Sequence, residues 1–445
     1  MKYDLLIRNG TVVREDRLER ADVAVLDEKF VEIAPEIAGD ARETIDATGL
    51  HVFPGLIDPH VHFNEPGRTE WEGFATGSAA LAAGGGTLFF DMPLNSSPPV
   101  LDGPSFDLKL EAAKRSSLTD FALWGGLTPK NLDRMEELAG RGVVGFKAFM
   151  CDSGIEDFPY CDDYALWRGM KYAAKLGLLV AVHAENNTIV SALATEAQAE
   201  GRVGVDDYIA TRPPVAEVEA VRRAMSLARD AECDLHIVHV SCEDAAWDAH
   251  VAGTMNGFSY ETCPHYIVLN QNDARQLGPI AKCAPPLRRV RDNEHWNYVL
   301  STEELSFVAS DHSPSPRAMK EGDNYFKLWG GIAGVQSTRS ILLSLNPPLK
   351  LETVARMTAI NVARRFGLKS KGEVRIGHDA DMNLVDLNQV YELKRDDLFD
   401  RHKLSPYVGR TFRGVVRRTI LRGRTIFIDG KTVGPPSGKF VRPAR

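Results

Sequence analysis

The sequence predicts an α/β fold: a (β/α)8 TIM barrel with a small discontinuous β-sandwich domain formed by the N- and C-terminal segments. Three observations predict it. Eight short apolar, β-rich runs recur through the middle of the chain, several of them separated by stretches with apolar residues at i, i+3 and i+4. Both ends instead show short alternating strands punctuated by Gly, Asp and Pro, with little helical periodicity. Neither end alone has enough strands to cover both of its faces, so the two are expected to pair.

The elements follow in chain order. The first segment reads as strands at DLLIRNGTVV, ADVAVLD and KFVEIAP. The central runs are HVFPGLIDPHVHF, TLFFDM, FALWGGL, VVGFKAFM, LLVAVHA, DLHIVHVS, FSYETC and LSFVASDH, with helical segments such as EGFATGSAALAAG and VAEVEAVRRAMSLARDA between them. A doubly wound open sheet is the rival arrangement, but no phosphate-type GxGxxG follows the first strand. Gly84, Gly85 and Gly86 precede a strand, where they end a helix. Short strands return in GEVRIGHDADMNLVDL and VVRRTILRGRTIFIDGKTV. The expected division is therefore 1–51 plus 370–445 for the sandwich and 52–369 for the barrel.

The 445 residues, 44% hydrophobic and 26% charged, can bury one large core with a satellite. Lys and Arg total 53 against 61 Asp and Glu, a net charge of -8 with no basic block, which argues against nucleic acid or an anionic membrane as partner and leaves a small-molecule substrate open. MKYDLLIRNGTVV has no apolar leader core, and no window approaches the ~18 apolar residues of a spanning helix, so a cytoplasmic protein is expected. Cys151, Cys161, Cys233, Cys242, Cys263 and Cys283 lack CxxC spacing and are expected as free thiols.

His60 and His62, two apart at the end of the first central run, leave the strand on one face. Alone, that pair is a weak signal. His183 ends the fifth run, His239 lies near the end of the sixth, and Asp311 ends the eighth. The C-terminal ends of barrel strands converge on one mouth, and four imidazoles with a carboxylate match the ligand preferences of zinc and its first-row neighbours. The competing reading is a set of buried His and Asp side chains satisfying one another by hydrogen bonds. Lys147 lies inside the apolar run VVGFKAFM. A buried, unpaired ammonium tends to lose its proton, and the neutral amine can add to carbon dioxide, giving a carbamate able to bridge two metals. Pairing with a neighbouring acid is the alternative.

At these residues the chain resembles the cyclic amidohydrolase branch of the amidohydrolase superfamily, which comprises dihydroorotases, hydantoinases (dihydropyrimidinases) and allantoinases. PGLIDPHVH (Pro54 to His62), Lys147, the two single histidines and SDHSP (Ser310 to Pro314) carry the resemblance, which spans nearly the whole chain. It implies two divalent metal ions, zinc first and cobalt or manganese as options. His60, His62, Lys147 as N6-carboxylysine and Asp311 would hold one ion, and the same carbamate, His183 and His239 the other.

Within the branch, dihydroorotases follow HxH with a carboxylate-binding arginine, where this chain has Asn64 in the run Phe63 to Gly67. Asn64 cannot form a bidentate ion pair. Met92, Pro93, Leu94 and Asn95 also depart from the dihydroorotase Met-Pro-Asn-Thr run. Hydantoinases place a tyrosine five residues after the lysine, and here the residue is Asp152. GRTEWEGF, MPLNSSPP, ETCPHY, AKCAPPLR, LWGGIAG and RHKLSPYVGR resemble the allantoinases.

That resemblance implies ring opening of allantoin to allantoate, in purine (allantoin) catabolism, by a hydroxide shared between the ions, with Asp311 as base and then acid. A hydantoinase is the alternative; a dihydroorotase and a non-catalytic scaffold relative come after it. Substrate contacts are expected from Asn95, Asp152 and the backbone near Cys283 and Gly330, while Ala284 stands where relatives often have Ser. Arg68 and Trp71 are weighed as substrate contacts against a surface ion pair and a packed indole. His265 is read as supporting or structural, and His51, His236, His250, His295, His312, His378 and His402 as structural. The resemblance also implies a homotetramer.

Overall fold

The structure, a computed structural model, describes residues 2–253, 257–303 and 305–444. Strands β1 (Tyr3–Val13), β2 (Leu18–Leu26) and β3 (Lys29–Ala34) form an antiparallel meander, while β4 (Ala41–Asp46) and β5 (His51–Pro54) run parallel to β1. Strand β5 straddles the expected boundary between residues 51 and 52.

The barrel strands follow in parallel: β6 (Leu56–Val61), β7 (Gly86–Asp91), β8 (Asp120–Leu123), β9 (Gly125–Gly126), β10 (Phe146–Phe149), β11 (Val180–His183), β12 (Leu235–Ile237), β13 (Phe258–Thr262) and β14 (Phe307–Val308). Strands β8 and β9 are halves of one barrel strand, β8 pairing with β7 and β9 with β10. Trp124 lies between the halves, and its indole N–H donates to the Pro59 carbonyl at 2.9 Å. The ring closes where Val61 bridges His312 in parallel and the His62 amide donates to the His312 carbonyl at 2.7 Å. All eight central runs thus supply barrel strands, although the start of the first, His51–Pro54, belongs to β5 and not to the barrel; they read as continuous apolar runs because helices cover one face and the barrel interior the other. The helix Phe74–Ala83 ends at Gly84, and Gly85 (φ 85°) turns the chain into β7, as the glycine run implies.

Strands β15 (Met382–Glu392), β16 (Thr411–Leu421), β17 (Arg424–Ile428) and β18 (Lys431–Thr432) form a second antiparallel meander. The two ends join through β5, which pairs with β1 on one side and antiparallel with β15 on the other, so hydrogen bonding runs through one nine-stranded sheet. Leu5, Ile7, Val23, Val25 and Val52 from the first segment share a core with Met382, Leu384 and Ile420 from the last. Each such buried side chain contributes about 1.5–3 kcal/mol, which neither end could gain alone. Buried Lys371 ties this sheet to the barrel, its Nζ 2.7 Å from Asp120 Oδ2 in β8 and 2.6 Å from Asp381 Oδ2.

A feature no motif announces is the C-terminal tail, which lies alongside β8: the Phe121 amide donates to the Lys439 carbonyl at 3.0 Å, and the Val441 amide to the Phe121 carbonyl at 2.8 Å. All six cysteines are buried free thiols. Among the described residues, no helix is long and apolar enough to cross a membrane.

Candidate metal centre

His60 lies in β6 and His62 just beyond it, so the alternation of the strand sends both rings to one side. Their Nε2 atoms converge on Asp311 Oδ1 at 3.2 and 3.3 Å. His239 (φ 40°) and Asp311 (φ 45°) follow β12 and β14 in left-handed backbone, which swings each side chain from the wall to the mouth. His183 ends β11 with Nδ1 3.0 Å from His239 Nε2. Lys147 lies in β10, fully buried, with Nζ 4.4 Å from the Phe149 ring centroid and without a hydrogen-bond partner among the described residues. Burial pulls its pKa down to about 7. The alternative of a lysine paired with an acid is therefore not the arrangement found.

The electrostatics match a cation site. Burial lowers the pKa of His62, His183 and His239, favouring the neutral imidazoles that ligate metals. Burial alone would raise the pKa of Asp311, but His60, His62 and His239 hold its carboxyl well below the usual range. Buried imidazoles turned towards one another, a carboxylate and an unpartnered amine form a donor set that fits divalent borderline metals.

Several supporting groups escape a reading by residue type. Glu261 in β13 accepts from His60 Nδ1 at 2.6 Å and from His236 Nε2 at 3.1 Å, which turns the His60 Nε2 lone pair towards the centre. Its only sequence signal is an acid inside an apolar strand. Glu185 holds His183 Nε2 at 2.7 Å and pairs with partly buried Arg212. Burial works to raise the pKa of Glu185, and Arg212 with His183 brings it to about 2. Here a signal exists: Glu185 follows His183 at the same alternation. Asp58 accepts the amides of both His60 and Ser310 at 3.2 Å, linking the first and last barrel strands beneath the site. His265 is fully buried with neither ring nitrogen hydrogen-bonded among the described residues, and burial lowers its pKa to about 4. His312 uses Nδ1 to accept the Gly334 amide at 3.1 Å, a structural role as read.

A cavity of about 580 Å³ opens above these groups, lined by His60, His62, His183, His239 and Asp311 and also by Asn95, Asp152, Cys283 and Gly330. Asn95 is buried, and its carbonyl accepts from Arg68 Nη1 at 3.0 Å. Asp152 is exposed, its amide held by Asn187 Oδ1 at 3.0 Å. The Cys283 carbonyl accepts the Tyr208 hydroxyl at 3.1 Å. Arg68 lies over the Trp71 ring at 5.2 Å, and Trp71 meets Trp329 edge-on at 4.7 Å, so the mouth has an aromatic rim rather than a surface ion pair. Gly67 (φ 84°) packs so closely on the Ser97 carbonyl that a Cβ would collide with it, which fixes the loop after β6 against the loop after β7.

A closed (β/α)8 barrel with imidazoles, a carboxylate and a buried lysine converging at the C-terminal mouth defines a metal-dependent hydrolase class. Residues 51–426 match the model of the Amidohydrolase family, and the chain belongs to that family. It is 53% identical to an allantoinase of Rubrobacter xylanophilus, over 100% of this chain and 98% of that one. It is 46% identical to an allantoinase of Deinococcus radiodurans, over 100% and 99%. Among solved structures, an L-hydantoinase (dihydropyrimidinase) from Arthrobacter aurescens superposes with a TM-score of 0.96 at 31% identity, covering 99% of this chain and 100% of that one. The family and these neighbours imply a divalent metal centre.

Proposed function

We propose that the protein is an allantoinase, hydrolysing a ring amide of allantoin to give allantoate. One observation carries the reading: the ligand-type groups converge on a single cavity in a chain similar along its whole length to allantoinases. Asn64 and Asp152, where an arginine and a tyrosine would suit other rings, support the same choice.

Two divalent ions, zinc foremost, would be held by His60, His62, Lys147 and Asp311 and by Lys147, His183 and His239, with Lys147 carboxylated by carbon dioxide at Nζ. The unpartnered Nζ, with its pKa drawn to about 7, supports that modification, because the amine must be neutral to react. Bound there, the ions supply polarisation of the ring carbonyl and a lowered water pKa. Asp311, held ionised, accepts the proton of the attacking water and delivers it to the departing ring nitrogen. Glu261 and Glu185 keep His60 and His183 in fixed orientations. Asn95, Asp152 and the backbone at Cys283 and Gly330 flank the ring, and Trp71 with Trp329 shields it from bulk water.

The proposal extends to a role in purine (allantoin) catabolism, a cytoplasmic homotetramer, and a division into 1–51 plus 370–445 and 52–369; the shared core of the two terminal segments supports the division. The test is turnover of allantoin, hydantoin and dihydroorotate at equal metal loading. Allantoin is expected to turn over fastest, and faster opening of plain hydantoin would assign the chain to the hydantoinases instead.

A further inference from the structure

Two buried lysines have no part in the chemistry above. Lys282 Nζ donates to the carbonyls of Tyr325 (2.6 Å), Leu328 (2.5 Å) and Phe326 (3.4 Å). Lys320 Nζ donates to the carbonyls of Gly331 (2.7 Å), Trp329 (3.0 Å) and Pro279 (3.0 Å). Neither forms an ion pair with a carboxylate among the described residues. Each ammonium has three N–H donors and meets three carbonyls, and all but one of the six belong to the segment 325–331. A neutral amine has only two donors, so three carbonyls around each Nζ favour the charged form, while burial, and for Lys282 the neighbouring Lys320 and Arg212 charges, draw both pKa values to about 7. Lys282 also lies 4.6 Å from the Tyr208 ring centroid and 5.4 Å from that of Tyr325, and an aromatic face is the one further group that offsets a buried cation.

The placement of these groups matters. Phe326, Leu328, Trp329, Gly330 and Gly331 line the cavity, as does Lys282 itself. A Cβ on Gly330 would point at the Lys282 stem (3.8 Å) and the Tyr208 hydroxyl (4.0 Å), the same hydroxyl that holds the Cys283 carbonyl. The carbonyls of 328, 329 and 331 are taken up by the two ammoniums, which leaves the amides of Gly330 and Gly331 and the carbonyl of Gly330 as the backbone groups of this stretch able to meet a ligand.

We infer that Lys282 and Lys320 are positioning residues, a two-cation clamp that fixes the 325–331 loop so that the backbone at Gly330 is presented to the substrate ring. The inference rests on the proposed substrate site. It assigns the lysines no proton transfer and no contact with the metal centre.

The test uses the metal-loaded full-length enzyme with Lys282→Met and Lys320→Met, which keep the stem and remove the donors, and with Lys320→Arg, which restores donors. Each Met variant is expected to raise KM for allantoin about tenfold, as expected for lost ground-state contacts, with kcat within about threefold and metal content unchanged. Lys320→Arg should recover part of the KM. Amide hydrogen exchange, measured without substrate, should quicken across 325–331 and not in β10 or β11. Unchanged KM in both folded Met variants, or unchanged exchange in the loop, overturns the clamp, as does a fall in kcat accompanied by loss of metal. If the wild type fails to open allantoin while exchange still quickens locally, the substrate assignment falls and the clamp stands.

Discussion

Replacing Glu261 tests whether the centre depends on groups beyond its ligands. The carboxylate is 1% exposed, and its two oxygens are both committed, one to His60 Nδ1 at 2.6 Å and the other to His236 Nε2 at 3.1 Å. A hydrogen bond to a charged group contributes about 1.5–3 kcal/mol, and loss of such a partner behind a metal-binding histidine weakens metal affinity about 10–100-fold. Glu261→Ala strands both rings, so the upper end, about 100-fold, is expected. Glu261→Gln keeps an oxygen for His60 and offers its NH2 to His236 Nε2. That ring can accept once its proton moves from Nε2 to Nδ1, where the Ser259 Oγ at 2.9 Å can receive it. The loss is then mainly of charge, and about tenfold is expected. Competition against a chelator of known affinity, read by elemental analysis, measures the change, and excess metal should restore activity. An Ala variant that holds metal as tightly as wild type refutes the reasoning, and so does one that stays inactive at full occupancy.

Lys147→Ala should leave well under two metals per chain and lower kcat/KM by about a thousandfold or more, since both ions would lose a shared ligand; full metal content with retained activity would reject the bridging role. Lys371→Met strips buried Asp381 of its cation and leaves Asp120 with Arg422 alone, and should cost about 3–5 kcal/mol in a denaturant titration, with a difference under about 1 kcal/mol counting against the ionic tie. Asp381, Asp120 and Asp379 outweigh burial and raise the pKa of Lys371 above its ordinary 10.5. Its stabilisation is therefore full below 10.5 and is lost only as pH rises through the higher folded value. The gap between wild type and Lys371→Met should accordingly stay flat from about pH 7 to 9, and a gap that closes in that range would contradict the sign.

The barrel was legible because its signals are local. Period and length distinguish a buried strand from a helix, and the glycines at 84–86 mark the turn between them. His60, His62, His183, His239 and Asp311 were legible for a related reason: each stands at or just past the end of an apolar run, and barrel topology brings those ends together. Glu185, two residues past His183, carries a local signal, whereas Glu261 was not legible, because an acid in a strand gains meaning only from the histidine across from it. The same holds for Lys282 and Lys320, which in the sequence are ordinary cations and in the fold are buried among carbonyls of one loop.

The sequence by itself determined the order of strands and helices, the residue types available for a metal centre and the departures at Asn64 and Asp152 that bear on the substrate, since all of these depend on neighbours a few positions away. The tertiary structure alone decided that β5 splices the two ends into one sheet, that the tail lies along β8, and which buried polar group answers which. Many of those pairings join positions tens to hundreds of residues apart, and they are chosen by the need to satisfy buried charges and peptide groups together, a condition no local pattern records.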